Sequence, residues 1–312
     1  MKKLLATAIT ASVLAATGSV AAAGEIAVIV KTTNSNFWQN VNKGATAAIA
    51  DHSEHTMSFN GPASESAVND QVALVENAIN RGVAGIVLAP SDPEALAPVV
   101  KRAFEAGIPV AIIDSGLAEG NEQYYQAFLS TDNCAAGELA AQMMIDNAGI
   151  TGKVAVMSYV AGVGSEIGRV GCFVEHMNAN SDVEIVGPFY SQSQMATALN
   201  QTTDILAAND LVGIFGANEP TAIGMGRALE QAGKAGTITA IGFDGNSDLQ
   251  DMVKSGTLLA TAVQGSFQMG ELGVDAVSAV IAGETVEDFI DTGVVMVTKE
   301  NIDAPAAQNV LY

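Results

Sequence analysis

The stretch "VAVMSYVAGVGSEIGRVGCF", residues 154–173, joins an apolar run to a glycine-rich loop and a helical segment. A continuous apolar run of this length predicts a parallel strand that is covered on both faces. Gly162, Gly164 and Gly168 miss the spacing of a dinucleotide-binding fingerprint by one residue, although Glu184 follows at a suitable distance. The stretch therefore predicts a βα unit, and a nicotinamide enzyme is kept as an alternative.

The same βα alternation continues on both sides of this stretch. Strands are predicted at 25–30, 55–60, 84–89, 109–114, 125–130, 153–159, 183–189, 211–217 and 237–243. Helices are predicted at 36–51, 64–82, 92–107, 133–149 and 219–233. Asp92, which precedes Pro93, is the expected N-cap of one helix. Several helices are expected to end at left-handed glycines: Gly82, Gly107, Gly149 and Gly233. The pattern predicts an α/β protein with two Rossmann-like, doubly wound parallel-sheet lobes.

Residues 1–23 have the pattern of a secretory signal peptide. Lys2 and Lys3 precede an apolar segment that ends in three small residues, Ala21 to Ala23. No later apolar run reaches the roughly 20 residues that a membrane-spanning helix needs. We therefore expect a periplasmic protein of a Gram-negative cell, without membrane insertion.

The charge of the chain limits its partners. The sequence has 312 residues, and without Lys2 and Lys3 it has 11 basic residues against 34 acidic ones, a net charge of −23. Such a chain repels nucleic acids and anionic lipids, so neither is expected as a partner. A monomer is the expected oligomeric state.

Catalytic and metal-binding patterns are scarce. His52 and His55 are three residues apart, which is more typical of a solvated surface turn than of a metal site. Two isolated cysteines do not make a zinc site. Cys134 and Cys172 form either a disulfide or two buried thiols, because spacing alone does not fix their separation. We expect no enzyme activity, no metal and no cofactor.

Polar residues follow four of the predicted strands. Lys31, Asp114, Asn218 and Asp244 each end or follow an apolar run, at the edge where open parallel sheets bind ligands. Each residue alone is also explained as a helix cap or a turn residue. Four such residues from both halves of the chain indicate a shared cleft.

Two aromatic residues stand beside this cleft. Phe37 and Trp38, the only tryptophan, begin a predicted helix shortly after Lys31. Packing of the helix on its sheet would explain them, but a flat aromatic ring also covers the C–H face of a sugar. Aromatic faces combined with hydrogen-bonding side chains suit a ligand with many hydroxyl groups, because an unmatched buried polar group costs about 1 to 3 kcal/mol.

The chain resembles the periplasmic monosaccharide-binding proteins of ABC transporters, of the ribose- and allose-binding type. The motifs that carry the resemblance, in chain order, are "IAVIVKTTNSNFW", "GIVLAPSDPEAL", "AGIPVAIID", "STDNCAAGELAA", "RVGCF", "FGANEPTAIGMGRALEQAGK", "AIGFDG" and "LLATAVQ". The resemblance implies a sugar- or polyol-binding receptor that closes about a hinge and delivers its ligand to a permease driven by an ATPase. A periplasmic sensor that feeds a chemoreceptor or a sensor kinase is the alternative.

The resemblance also implies lobe boundaries and site residues. The first lobe would comprise 24–131 and 265–292, and the second 132–264 and 293–312, joined by three hinge segments near Thr131, Gln264 and Thr292. The implied ligand-binding residues are Lys31, Ser35, Phe37, Trp38, Asp114, Arg169, Asn218, Asp244 and Gln264. This chain departs from the ribose-binding pattern at Ser115, Ser193 and Glu219, where that pattern has an arginine, often an aromatic residue, and an aspartate. These departures make ribose itself a poor candidate ligand.

Overall fold

The computed structural model describes residues 24–312, and the predicted signal peptide at 1–23 lies outside the described residues. Strands and helices alternate along the described chain and form two six-stranded sheets. Helices cover both faces of each sheet. We call each sheet with its helices a lobe, so that the predicted two-lobed, doubly wound α/β fold is confirmed.

The first lobe contains an entirely parallel sheet. Its strands, in spatial order, are β11 (Phe289–Asp291), β5 (Ala127–Ser130), β4 (Val110–Ile113), β3 (Gly85–Leu88), β1 (Glu25–Ile29) and β2 (Thr56–Asn60). Helices α1 (Asn36–Asp51) and α9 (Ser266–Ile281) pack on one face of this sheet. Helices α2 (Val68–Arg81) and α3 (Pro93–Glu105) pack on the other face.

The second lobe has the same plan with one antiparallel edge. Its strands, in spatial order, are β12 (Val294–Thr298), β10 (Ala260–Gln264), β9 (Thr239–Phe243), β8 (Leu211–Gly216), β6 (Thr151–Ser158) and β7 (Asp182–Tyr190). Only the β10–β12 pair is antiparallel within this sheet of the described chain. Helices α4 (Asn133–Ala148) and α5 (Gly164–Asn180) cover one face. Helices α6 (Met195–Ala208), α7 (Glu219–Gln231) and α8 (Ser247–Ser255) cover the other, and α10 (Pro305–Gln308) packs near β12.

Local sequence signals set the ends of several helices. The Asp92 carboxylate accepts the backbone N–H groups of Glu94 and Ala95 at 2.9 and 2.7 Å, as predicted for an N-cap. Gly82 follows α2 with a φ of 67°, a left-handed conformation that a glycine adopts without strain. The helix predicted over 64–82 begins only at Val68. The residues before it form a loop that extends toward the second lobe.

The chain passes between the lobes at three places. It leaves the first sheet after β5 and enters α4 of the second lobe, and it returns after β10 into α9. It crosses again between β11 and β12, where Thr131 Oγ1 donates to the Gly293 carbonyl at 3.1 Å. The carboxyl ends of the central strands of both sheets consequently face one shared cleft.

Candidate ligand-binding site

A small cavity lies in the cleft between the lobes. All nine residues proposed from the sequence lie on its wall. The complete lining is Lys31, Ser35, Phe37, Trp38, Glu65, Asp114, Tyr159, Ser165, Arg169, Asn218, Glu219, Pro220, Asp244 and Gln264. Both lobes contribute, so a ligand in this cavity would contact both.

The first lobe contributes a buried ion pair. Lys31 Nζ lies 2.6 Å from Asp114 Oδ2, and both side chains are almost fully buried. Ser115 Oγ accepts a hydrogen bond from the same ammonium at 2.6 Å and donates to Asp114 at 2.8 Å. The Ser115 hydroxyl thus bridges the Lys31 ammonium and the Asp114 carboxylate. This arrangement presents a charged donor and a charged acceptor side by side to a ligand.

The aromatic wall comes from the first turn of α1. Phe37 and Trp38 are buried, and their rings meet edge to face with centroids 4.8 Å apart. Ser35 is the N-cap of α1 and accepts the Trp38 backbone N–H at 3.4 Å. The Trp38 indole N–H donates to Glu65 Oε1 at 2.9 Å, which fixes the orientation of the ring. These two aromatic residues therefore pack against the sheet and also line the cavity.

Arg169 on α5 is held from several sides. Its guanidinium donates to Asn133 Oδ1 from Nε and Nη2, at 3.1 and 2.7 Å. It also donates to the Ala217 carbonyl at 2.7 Å and to Gln264 Oε1 at 3.0 Å. The guanidinium carbon lies 3.6 Å from the centroid of the Phe243 ring. Arg169 is therefore preorganised at the cavity wall, and most of its donors are already used by the protein.

The second lobe contributes two carboxyl groups. Asp244 accepts Gln264 Nε2–H at Oδ1 and the Glu219 backbone N–H at Oδ2, each at 2.8 Å. Burial raises the pKa of Asp244 to about 6, although the nearby Arg169 charge opposes this effect. Burial and the neighbouring Asp244 charge together raise the pKa of Glu219 to about 8. This side of the cavity therefore holds carboxyl groups that burial drives toward the neutral form.

Asn218 has both roles that the sequence allowed. As the N-cap of α7, its Oδ1 accepts the Thr221 backbone N–H at 3.3 Å. Its Nδ2 donates to Ser193 Oγ at 3.0 Å, and the residue also lines the cavity. A capping asparagine at a strand end is thus compatible with a place in the cavity wall.

Five cavity residues were not in the predicted ligand set, namely Glu65, Tyr159, Ser165, Glu219 and Pro220. Tyr159 follows β6 directly, so the rule that found Lys31 could have found it as well. Its hydroxyl lies 2.8 Å from Ser165 Oγ, and burial raises the pKa of this phenol. Glu65 lies in a loop between β2 and α2, and no periodic sequence signal places that loop at the cleft.

Cys134 and Cys172 form a disulfide with a Cα–Cα distance of 5.1 Å. Cys134 follows Asn133 at the start of α4, and Cys172 lies one turn after Arg169 on α5. The bond therefore joins the two helices that carry the Asn133–Arg169 contact. Of the two possibilities left by the sequence, the structure shows the bonded one.

The described residues contain neither a metal-binding cluster nor a membrane-spanning helix. Within 24–312, no cluster of three or more His, Cys, Asp or Glu side chains could hold a metal ion. No helix in the same range has both the length and the apolar character to cross a bilayer.

Comparisons with known proteins all indicate the same family. Residues 26–285 match the model of a periplasmic binding protein domain. The chain is 30% identical to the D-allose-binding periplasmic protein of Escherichia coli K12, over 81% of this chain and 83% of that one. It is 30% identical to a ribose import binding protein of Salmonella typhimurium, over 96% of this chain and 99% of that one.

A solved structure gives a stronger match. An ABC transporter solute-binding protein from Agrobacterium vitis, crystallised with bound D-fucose, is 70% identical, with a TM-score of 0.92. The match covers 93% of this chain and all of the other. The proteins named in these comparisons are sugar-binding and transport proteins, not enzymes.

Proposed function

This chain belongs to the periplasmic binding protein family, in its sugar-binding ABC transporter branch, and we propose that it captures D-fucose or a closely related neutral monosaccharide. The ligand would occupy the cavity between the lobes. The lobes would close about the three crossing segments, and the closed protein would deliver its sugar to a permease driven by an ATPase.

The observation that carries the proposal is the convergence of nine separated residues on one small cavity. The cavity has aromatic surface from Phe37 and Trp38 on one side. Around it stand an ammonium, a guanidinium, an amide and carboxyl groups, so that donors and acceptors are both present. A sugar needs this combination, because its ring faces are apolar and each hydroxyl both donates and accepts.

The choice of D-fucose rests on the relative that is 70% identical and was crystallised with that sugar. The buried carboxyl groups of Asp114 and Asp244 further favour a neutral ligand over a sugar phosphate. These carboxyl groups would repel an anionic ligand at short range, and the ligand would also lose its hydration.

We also propose lobe boundaries and a location. The first lobe would comprise 24–131 and 265–292, and the second 132–264 and 293–312, in agreement with the strands that each sheet contains. The family and the signal-like pattern at 1–23 support export to the periplasm of a Gram-negative cell. Detection of the mature protein in a periplasmic extract, with Gly24 as its first residue, tests this location.

Titration calorimetry tests the ligand. D-fucose, D-galactose, D-arabinose, D-allose and D-ribose are titrated into the protein in turn, and D-fucose is expected to bind most tightly. Arg169→Ala should weaken binding by several kcal/mol, because it removes a charged donor from the cavity wall and leaves Asn133 and Gln264 unpaired. Arg227→Ala is the matched control, since Arg227 pairs with Asp248 at 3.3 Å outside this cavity.

Two outcomes would count against the proposal. No heat from any of the five sugars would reject sugar binding at this cavity. Equal affinity of wild type and Arg169→Ala for a sugar that does bind would place the sugar elsewhere.

A further inference from the structure

Two glutamate side chains at the mouth of the cleft make hydrogen bonds to the opposite lobe, one from each lobe. Glu65 of the first lobe accepts a hydrogen bond from Ser193 of the second. Glu219 of the second lobe accepts the backbone N–H of Asn36, in the first turn of α1, at 2.9 Å. Neither carboxylate was among the residues expected to bind the ligand.

Both oxygens of the Glu65 carboxylate accept hydrogen bonds from protein donors. Its Oε1 accepts the Trp38 indole N–H, and its Oε2 accepts the Ser193 hydroxyl, which in turn accepts Asn218 Nδ2–H. The segment that brings Ser193 to this point has an unusual backbone. Gln192 and Ser193 have φ values of 58° and 54°, a left-handed conformation that costs non-glycine residues free energy. The surrounding contacts therefore hold this segment in a conformation that it would not otherwise favour.

Both oxygens of the Glu219 side chain also accept hydrogen bonds from the protein. Its Oε2 accepts the Tyr312 hydroxyl at 3.1 Å, while its backbone N–H donates to Asp244. The Oε1 atom caps the N-terminus of α1, the helix that carries the aromatic wall. The first-turn N–H groups of a helix lack partners within the helix and need an acceptor from outside it. In addition to the Ser35 cap, the second lobe thus supplies an acceptor to the N-terminus of α1, and this contact exists only while the lobes are together.

The position of these contacts separates the cavity from solvent. Glu65 and Glu219 line both the inner cavity and an outer groove, whose walls include Gln192, Ser193 and Met195. A sugar that leaves the cavity through this groove would pass the Glu65 and Glu219 side chains.

We propose that Glu65 and Glu219 form a reciprocal closure latch, in which each lobe holds the other across the mouth of the cleft after the sugar has entered. This inference rests on the proposed function, since it assumes that the protein binds a sugar by closing. The latch residues act through lobe closure and are positioning residues. The latch should therefore slow release of the sugar and leave its entry unchanged.

Stopped-flow fluorescence tests the latch on the whole mature protein, with Trp38 as the only tryptophan and D-fucose as the probe. Ser193→Ala removes the donor to Glu65 and leaves the Glu65–Trp38 contact in place. We expect its dissociation rate to rise roughly 10-fold, as for loss of a hydrogen bond to a charged group, with an unchanged association rate. Ser66→Ala is the matched control, because Ser66 is exposed in the same loop and its hydroxyl bonds only that of Ser64 among the described residues.

Glu219→Ala tests the second half of the latch. It should also release the sugar roughly 10-fold faster. Its control is Glu94→Ala, a substitution in the first turn of α3. The double variant Ser193→Ala/Glu219→Ala should release the sugar faster than either single variant, by about 100-fold where the two contacts act independently. Without sugar, in an open protein that makes neither contact, the melting temperature of Ser193→Ala should equal that of wild type, whereas Glu219→Ala also loses the contact with Tyr312.

The results separate the latch from the proposed function. If wild type binds D-fucose and both variants release it at the wild-type rate, the latch is wrong and sugar binding stands. A lower association rate with unchanged dissociation would also overturn the latch, because the residues would then act on entry. If wild type binds no sugar by calorimetry or fluorescence, the proposed function fails and the latch fails with it.

Discussion

Asp114 and Asp244 occupy equivalent places in the two lobes, and their backbones are built in the same way. Each follows a central strand and has a positive φ, 63° for Asp114 and 80° for Asp244. Each carbonyl accepts a hydroxyl from the neighbouring strand at 2.7 Å, from Ser130 in one lobe and from Thr261 in the other. The two lobes therefore use one device to turn a carboxyl group into the cleft.

The two carboxyl groups differ in what holds them. Asp114 is paired with the Lys31 ammonium at 2.6 Å. Asp244 is held by an amide and a backbone N–H, and burial raises its pKa to about 6. A repeated backbone geometry thus presents a charge-paired carboxylate in the first lobe and a carboxyl with a raised pKa in the second. The predictions below test this difference.

The largest effect is expected for Asp114→Asn. Asparagine tolerates the positive φ, so the substitution removes the charge with little backbone strain. It leaves the buried Lys31 ammonium without a counter-charge, and we expect the free energy of unfolding to fall by about 3 to 5 kcal/mol. Urea denaturation measures the change. Adding Lys31→Met should recover most of the loss, and a fall below about 1 kcal/mol would mean that the pair acts like a solvated surface bridge.

The disulfide gives the next largest difference between the lobes. The sequence has only two cysteines, and both lie in the second lobe, 38 residues apart. Replacing both by serine should lower the free energy of unfolding by about 2 to 4 kcal/mol, because the unfolded chain gains freedom. Denaturation of wild type in a reducing agent should give a similar loss. An unchanged midpoint in both experiments would show that the bond does not stabilise the native state.

The comparison of the two aspartates also shows what sequence reasoning can reach. Asp114 and Asp244 were found because a polar residue after an apolar strand lies at the ligand-binding edge of a parallel sheet. The same local pattern found Lys31 and Asn218. The helix α1 was predicted with both ends correct, since its apolar face and its N-cap are local features. Local patterns therefore sufficed for nine of the twelve strands of the described residues and for four strand-end residues of the cavity.

Other features depend on contacts between distant segments. Glu65 reaches the cleft from an irregular loop, and its partners Trp38 and Ser193 are 27 and 128 residues away. Strand β11 has only three residues, too few for periodicity to identify it, and β10 and β12 were not predicted either. The pairing of Asp114 with Lys31 and the burial of Asp244 likewise depend on how the lobes pack. Arg169 was placed only through the family resemblance, because no local pattern distinguishes it from a surface arginine.

The raised pKa of Asp244 predicts a pH dependence with a definite sign. A carboxyl whose native pKa is above its unfolded value stabilises the native state fully below about pH 3.8, and this contribution is lost as the pH rises through about 6. Glu219 has a shift of the same sign. From pH 4 to pH 7, the free energy of unfolding of wild type should therefore fall by about 1 to 3 kcal/mol more than that of Asp244→Asn. Equal slopes for the two proteins would refute the shift.

The smallest effects test the shared backbone device itself. Ser130→Ala and Thr261→Val each remove the hydroxyl that donates to the carbonyl of the cleft aspartate. Each leaves a buried acceptor with one partner fewer, which should lower the free energy of unfolding by about 1 kcal/mol. Thr203→Val is the control, because the Thr203 hydroxyl is exposed and bonds a carbonyl of its own helix at 2.9 Å.

Ser130→Ala and Thr261→Val should give losses that agree within about 0.5 kcal/mol, since the two carbonyls are held at the same distance and the sites are independent. The large contrast between Asp114→Asn and Asp244→Asn would then come from the carboxyl groups alone. Urea denaturation of the two hydroxyl variants side by side measures this. A loss in only one lobe would mean that the matching geometry hides different energetics, and the two aspartates could no longer be compared by their charge alone.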